Sequence, residues 1–217
     1  MIRVVLVDDH ALMRTGLRMI LEKQPDMEVV GEAEDGEPGL ALIKRLQPQV
    51  ALVDLHMPRL SGIEVTERVR RTKLSTRIVI LTIAGEAPFP RRLLEAGASG
   101  YLTKGCPAEE LVRAIRQVAD GRRYLSADVA QQMALGNLAN SDTPFAELST
   151  RELEVAMMLA QGLTAKQIGV RLKLSDKTVA TYKYRLFEKL AIDNVVTLAH
   201  LATLHGLMGA GAHTRRT

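Results

Sequence analysis

A few residues scattered over a hundred positions carry the groups for one kind of chemistry. Asp8 and Asp9 follow the apolar run IRVVLV, Asp54 follows VALV, Thr82 follows IVIL, and Lys104 follows GYLT. Three carboxylates brought together repel one another, and an oxygen-seeking divalent cation relieves the repulsion. Mg²⁺ suits such a place, because it takes one or two carboxylates and leaves room for water and phosphate oxygens. Beside a bound cation, the Asp54 carboxylate could attack phosphorus and form an aspartyl phosphate. The Lys104 ammonium would pair with the phosphoryl oxygens as a point charge, and the Thr82 hydroxyl would donate a hydrogen bond to the same group. Acids at strand ends often do no more than cap the next helix, so Asp8-Asp9 alone says little. The whole set at one sheet edge says much more.

That edge has to be built by the elements in between. Apolar runs at Ile2–Val7, Val29–Ala33, Val50–Leu55, Ile78–Ile83 and Ser99–Leu102 are mostly Val- and Ile-rich and lack polar alternation, as strands buried on both faces do. Between them lie helical spacings: Leu12, Leu17, Ile20 and Leu21; Leu40, Ile43 and Leu46; Ile63, Val65 and Val69; Leu111, Ile115 and Val118. Strand–helix repeats of this kind predict a doubly wound α/β domain, a five-stranded parallel sheet covered by helices on both faces. In such a sheet ligands bind at the carboxyl ends of the strands, where the acids, Thr82 and Lys104 all fall.

The rest of the chain reads differently. Gly121 stops the last helix, and residues 122–145 read as a linker with a short helix from Ser126 to about Leu135, followed by the turn-rich stretch Gly136 to Pro144. From Leu148 the pattern is helical. Ser149 with Glu152, and Thr164 with Gln167, have the spacing of capping boxes. Leu153, Ala156, Met157 and Ala160 form one inward stripe, Ile168 and Leu172 a second, and Val179, Tyr182, Leu186 and Leu190 a third. A fourth helix opens at Asp193 or Asn194 and carries Val196, Leu198, Leu201 and Leu204. The expected division is 1–121 for the α/β domain, 122–145 for the linker, 146–208 for a four-helix all-α domain and 209–217 for a disordered tail.

Composition sets the partners. Residues 1–120 hold 17 basic and 17 acidic side chains, whereas residues 146–217 hold 10 and 6, so the net charge of +4 sits in the last third. Between Lys166 and Lys189 there are seven basic residues and two acidic ones. A short helix with one buried apolar face and one face of hydroxyls and cations suits a major groove. Thr178, Thr181, Tyr184 and Arg185 lie on that outer face. Lys166, Lys177 and Lys183 are placed to meet phosphates, which position a protein without specifying sequence, and Ser175 at the helix start could meet a phosphate as well. One cysteine, Cys106, excludes an internal disulfide and fits a reducing compartment. No apolar run approaches the roughly 18 residues of a membrane span, and the opening lacks the pattern of a signal peptide, so a cytoplasmic chain with no membrane insertion is expected. His10 and His56 read as ordinary loop or helix-start residues, and the methionines as core filler.

VLVDDH, VDLHMPRLSG, Thr82 and GYLTKG together resemble the receiver domain of bacterial response regulators. The resemblance implies a flavodoxin-like strand order 2-1-3-4-5, and Asp54 as acceptor of a phosphoryl group from a histidine kinase. It further implies Mg²⁺ held by Asp9, Asp54 and the backbone carbonyl of His56 with Asp8 nearby, Thr82 and Tyr101 as switch residues, and Lys104 as the phosphate-pairing lysine. Two positions depart from the family: Gly105 follows the lysine where proline is usual, and Ile83 follows the threonine where a small residue is usual. Ile83 and His56 are expected to crowd the acyl phosphate and set its lifetime.

The stretch LSTRELEVAMMLAQGLTAKQIGVRLKLSDKTVATYKYRLFEKL resembles the LuxR-type helix-turn-helix. That resemblance puts Ala180, Thr181 and Tyr184 at the principal base-contact positions and makes the helix over 194–208 the dimer helix. The two modules in this order are the NarL/FixJ arrangement, and EAPFPRRLLEAGASGYLTKG with TVATYKYRLFEKL is most similar to the GacA/UvrY group of global regulators. The group implies a membrane-bound hybrid sensor kinase or a phosphotransfer domain as donor, and promoters of small regulatory RNAs as targets. On this reading phosphorylation releases the C-terminal domain to dimerise on double-stranded promoter DNA. Apart from phosphotransfer and autodephosphorylation at Asp54, the chain is not expected to be an enzyme. A phosphohydrolase using Asp54 is the rival from the enzyme class, and a regulator that works without phosphorylation is another. Pro88-Phe89-Pro90 is expected to disrupt the start of the fourth helix.

Overall fold

The computed structural model describes residues 1–57, 59–82, 90–127, 130 and 144–205. The chain divides into two compact units, Met1–Ala130 and Gln131–Thr217. In the first, strands β1 (Ile2–Val7), β2 (Met27–Ala33), β3 (Val50–Asp54), β4 (Arg77–Thr82) and β5 (Gly100–Thr103) alternate with helices α1 (Ala11–Glu22), α2 (Gly36–Leu46), α3 (Gly62–Arg71), α4 (Pro90–Ala96) and α5 (Ala108–Ala119). All pairings are parallel, and the order is β2-β1-β3-β4-β5, continued by a further strand, β6 (Tyr124–Leu125).

The expected sheet of five strands is therefore corrected to six, and the expected linker loses its first residues to the sheet. The Tyr124 amide donates to the Ser99 carbonyl at 3.0 Å, and the Tyr124 hydroxyl donates to Glu110 of α5 at 3.0 Å. These bonds give a two-residue strand its place.

Successive strand residues feed opposite cores, which is why the strands read as unbroken apolar runs. Val5, Val7, Ala51, Val53, Ile78 and Ile80 pack on the side of α2, α3 and α4. Val4, Leu6, Val50, Leu52, Val79 and Leu81 pack on the side of α1 and α5. Each Val, Leu or Ile side chain so removed from water contributes roughly 1.5–3 kcal/mol. The loop after β3 is fixed by close approach. A Cβ on Gly62 would lie 2.3 Å from the Asp54 carbonyl oxygen, so only glycine lets α3 start there. Ser61 and Glu64 then close a capping box around the first turn of α3.

Among the described residues, the second unit contains a 3-10 turn (Pro144–Glu147) and four helices, α6 (Thr150–Ala160), α7 (Ala165–Leu172), α8 (Asp176–Leu190) and α9 (Val195–Leu204). Both expected capping boxes form, Ser149 with Glu152 and Thr164 with Gln167. Ile168, Leu172, Val179, Leu186 and Leu198 are fully buried. Phe145, assigned from sequence to the linker, packs edge-on against His205 with ring centres 6.1 Å apart and so belongs to this unit.

Helix α9 carries both inward and outward apolar residues. Asn194 caps it through the Thr197 amide at 2.8 Å, Leu198 and Ala202 point inward, and Val196 and Leu204 point outward, 80% and 65% exposed. A one-face apolar pattern cannot separate a core-facing residue from one that waits for a partner. The short helix expected from Ser126 lies largely outside the described residues. Within them, the Ala130 amide donates to the Ser126 carbonyl at 2.9 Å. Ile83, the Pro88-Phe89 pair and the tail from Gly209 also lie outside the described residues.

Candidate functional site: an acidic pocket and an exposed recognition helix

The carboxyl ends of β1, β3, β4 and β5 bring the predicted set together. Asp8 and Asp54 are 1% and 3% exposed, and Thr82 is as deeply buried. Lys104 sits just past β5, its amide donating to the Thr82 carbonyl at 2.6 Å. Its ammonium lies 2.8 Å from Asp8 Oδ2 and 3.0 Å from Asp54 Oδ2. Glycine at 105 thus leaves the lysine reaching both carboxylates. One cation shared by two buried anions does not neutralise the pocket. Burial, then the neighbouring Asp8 charge, pushes the Asp54 carboxyl up to about 6 against the pull of Lys104.

Ligand atoms of Asp8, Asp9, His10 and Asp54 all lie within 4.8 Å of one another. A donor set dominated by buried carboxylate oxygens fits a hard divalent cation. His10 is more than the helix-start residue that the sequence indicates. Its Nδ1 lies 3.1 Å from Asp8 Oδ1 and 3.0 Å from Asp9 Oδ1, and its amide donates to Asp8 Oδ1 at 2.8 Å. The His56 amide approaches Asp54 Oδ1 at 3.4 Å, which puts that residue's backbone at the pocket. Tyr101 lies inward on β5, in the core on the α2–α4 side.

In the second unit, α8 presents the other predicted residues. Lys177, Ala180, Thr181, Tyr184 and Arg185 are exposed, Thr178 and Lys183 are half-buried, and Lys166 is exposed on α7. Tyr184 is 70% exposed, far more than a core tyrosine would be. Several of these groups already have local partners. Ser175 caps α8 by accepting from the Thr178 amide at 3.1 Å, and its hydroxyl lies 2.7 Å from that of Thr178. Thr181 donates to the Lys177 carbonyl at 3.0 Å, and the Lys183 ammonium stands 5.3 Å from the centre of the Phe187 ring. The sequence shows which face these residues share but not these engagements, which depend on rotamers.

Two families match the chain. The response regulator receiver domain matches residues 4–116, and the luxR family of bacterial regulatory proteins matches residues 146–202. Response regulator GacA of Pseudomonas aeruginosa is 46% identical over 214 residues, covering 98% of this chain and all of GacA. Response regulator UvrY of Escherichia coli is 44% identical over 212 residues, 97% of each chain. Among solved structures, response regulator ChrA of a heme-sensing two-component system is 34% identical with a TM-score of 0.54, covering 95% of this chain and 98% of that one. The response regulator RcsB in a DNA complex is 25% identical with a TM-score of 0.59, over 93% of this chain and 98% of that one. These are families of regulators and not of catalytic enzymes. The chain belongs to the DNA-binding response regulators of two-component systems, in which a receiver domain is joined to a LuxR-type helix-turn-helix that regulates transcription.

Proposed function

We propose that Asp54 accepts a phosphoryl group from a sensor histidine kinase or phosphotransfer domain, and that this shifts the chain to a dimerising, promoter-binding state. The observation that carries the reading is the Lys104 ammonium lying between Asp8 and Asp54, at 2.8 and 3.0 Å. The Asp54 oxygen attacks phosphorus as the donor's N–P bond breaks, and the imidazole leaves with its electron pair. Asp9, Asp54 and the His56 carbonyl, with Asp8 nearby, would hold Mg²⁺, which supplies charge neutralisation at the phosphoryl oxygens. Lys104 then moves from its two carboxylates to the phosphoryl group, Thr82 donates a hydrogen bond to it, and Tyr101 follows as the second switch residue. The added charge of roughly −1.5 to −2 drives that rearrangement.

For the output we assign Ala180, Thr181 and Tyr184 to base edges, with Thr178 and Arg185 beside them on the same helix face. Lys166, Ser175, Lys177 and Lys183 are assigned to phosphates, and α9 to the homodimer contact. Its outward Val196 and Leu204 support that last assignment. The DNA complex of RcsB supports promoter DNA as the ligand. By the resemblance to the GacA/UvrY group, we assign a hybrid, membrane-bound kinase as donor and small-RNA promoters as targets. We assign 146–208 to the DNA-binding domain, 209–217 to a tail, and 1–121 with β6 to the receiver. That leaves the rest of 122–145 as linker. A cytoplasmic location accords with the absence, among the described residues, of any helix long and apolar enough to cross a membrane.

Incubation with acetyl phosphate and Mg²⁺, followed by intact mass, tests the acceptor. One phosphoryl group is expected on the wild type and none on Asp54→Asn, and an equal gain on both rejects the reading. On a promoter fragment, Lys177→Ala should lower the salt slope of binding by about one, whereas Tyr184→Ala should leave the slope and alter sequence preference.

A further inference from the structure

The loop 55–61 carries the His56 backbone to the pocket, and its two ends are fixed. The Leu55 amide donates to the Leu81 carbonyl at 2.9 Å, and the Gly62 amide donates to the Leu55 carbonyl at 3.0 Å. The crest is held from outside the loop. Arg59 adopts a left-handed backbone, φ 59°, which is uncommon for a residue with a Cβ. Its side chain meets Asp35, twenty-four residues earlier. Arg59 Nε donates to Asp35 Oδ2 at 2.7 Å, and Nη2 lies 2.5 Å from the same oxygen.

Asp35 is no surface acid. It is 2% exposed and caps α2 by accepting from the Glu37 amide at 3.2 Å. Beside it the backbones touch, since a Cβ on Gly36 would lie 2.2 Å from the Leu60 carbonyl oxygen. The first turn of α2 and the loop crest therefore form one clasp, and the guanidinium is the part of it that carries charge to a buried carboxylate. An exposed ion pair does little. One whose carboxylate is buried leaves an uncompensated charge when the arginine is removed.

We propose that Arg59 is a positioning residue for the phosphorylation pocket, acting through Asp35 to hold the loop that sets the His56 carbonyl. The inference rests on the reading of that carbonyl as a Mg²⁺ ligand. Outer groups that orient ligands typically change metal affinity by about tenfold or more when removed. Calorimetric Mg²⁺ titration of the full chain tests it, with amide hydrogen exchange over residues 55–61 as a second readout. Arg59→Ala and Asp35→Asn should each weaken Mg²⁺ binding about tenfold and speed exchange in the loop. Arg59→Lys, which keeps the charge but not the planar fork, should recover part of the affinity. The double variant should be no worse than either single one. Unchanged Mg²⁺ affinity in Arg59→Ala, even with a lower melting temperature, would make the pair a mere staple and overturn the proposal. If Arg59→Ala does not fold, wild-type affinity in Arg59→Lys with faster loop exchange overturns it equally. A wild type that takes up no Mg²⁺ fails the pocket reading and the proposal together, whereas a wild type that binds while its variants bind equally well fails the proposal alone.

Discussion

The acidic pocket and the start of α6 each set a buried carboxylate against a lysine, with opposite results. At Asp54, burial and the Asp8 charge outweigh Lys104, and the carboxyl is pushed up to about 6. At Glu152, burial pushes upward too, but Lys189 at 2.6 Å and the Ser149 amide at 2.7 Å outweigh it and hold the carboxyl below its usual range. The difference lies in the number of anions per cation and in the backbone donors. Glu152 has one lysine to itself and completes a capping box. Asp54 shares its lysine with Asp8, and the His56 amide meets it in a long contact of 3.4 Å. One arrangement is settled and stabilises a helix start. The other holds charge under strain, ready for a cation and a phosphoryl group to relieve it.

Removing the shared lysine should break this contrast most sharply. Lys104→Met leaves two buried carboxylates without a counter-charge and should destabilise the receiver by about 3 kcal/mol, read as the loss in its melting transition. Added Mg²⁺ should restore much of that loss. A change of similar size and opposite sign is expected for Asp54→Asn, on the order of 3 kcal/mol of added stability at pH 7 in metal-free buffer. The sign follows from a folded value, about 6, that stands above the ordinary 3.8. Stability tied to this group is present at low pH and lost as pH rises through about 6. The gap between variant and wild type should therefore be full above that pH and close towards pH 3.8. A gap independent of pH would remove the strain from the comparison. The smallest effect belongs to the settled pair. Lys189→Met should destabilise the second unit by about 1 kcal/mol, because the lysine is partly in solvent. Glu152 sits below its ordinary 4.5, so its contribution is present above that value and is lost as pH falls through the lowered one. The variant should flatten this acid limb of the unfolding curve.

Much of the pocket was legible because aliphatic runs end where the sheet ends. Asp8, Asp54, Thr82 and Lys104 each follow such a run, so strand topology alone converges them. The helix stripes and capping boxes of the second unit were legible for a similar reason, since their signals are local. What escaped is non-local or brief. The Asp35–Arg59 pair spans α2 and β3 and leaves no periodic mark. His10 looks like any helix-start residue until two carboxylates are seen around its ring nitrogen. β6 is two residues long, and Arg122-Arg123 before it reads as solvent-exposed chain. Which of the apolar residues on the fourth helix face outward was not legible either, because an apolar residue on a helix announces burial without saying in what.

The sixth strand decides where this chain can be cut. The sequence suggests a receiver ending at Gly121, yet the carbonyls of Ser99, just before β5, and Tyr101 on it accept from the amides of Tyr124 and Ser126. A fragment ending at 121 would expose β5 as a raw edge, a template for the same strand in another molecule. It should therefore self-associate as concentration rises, whereas a fragment ending at 126 should stay monomeric. Sedimentation of the two would show whether β6 is a trailing end of the linker or the selvedge that keeps the sheet from joining its neighbours.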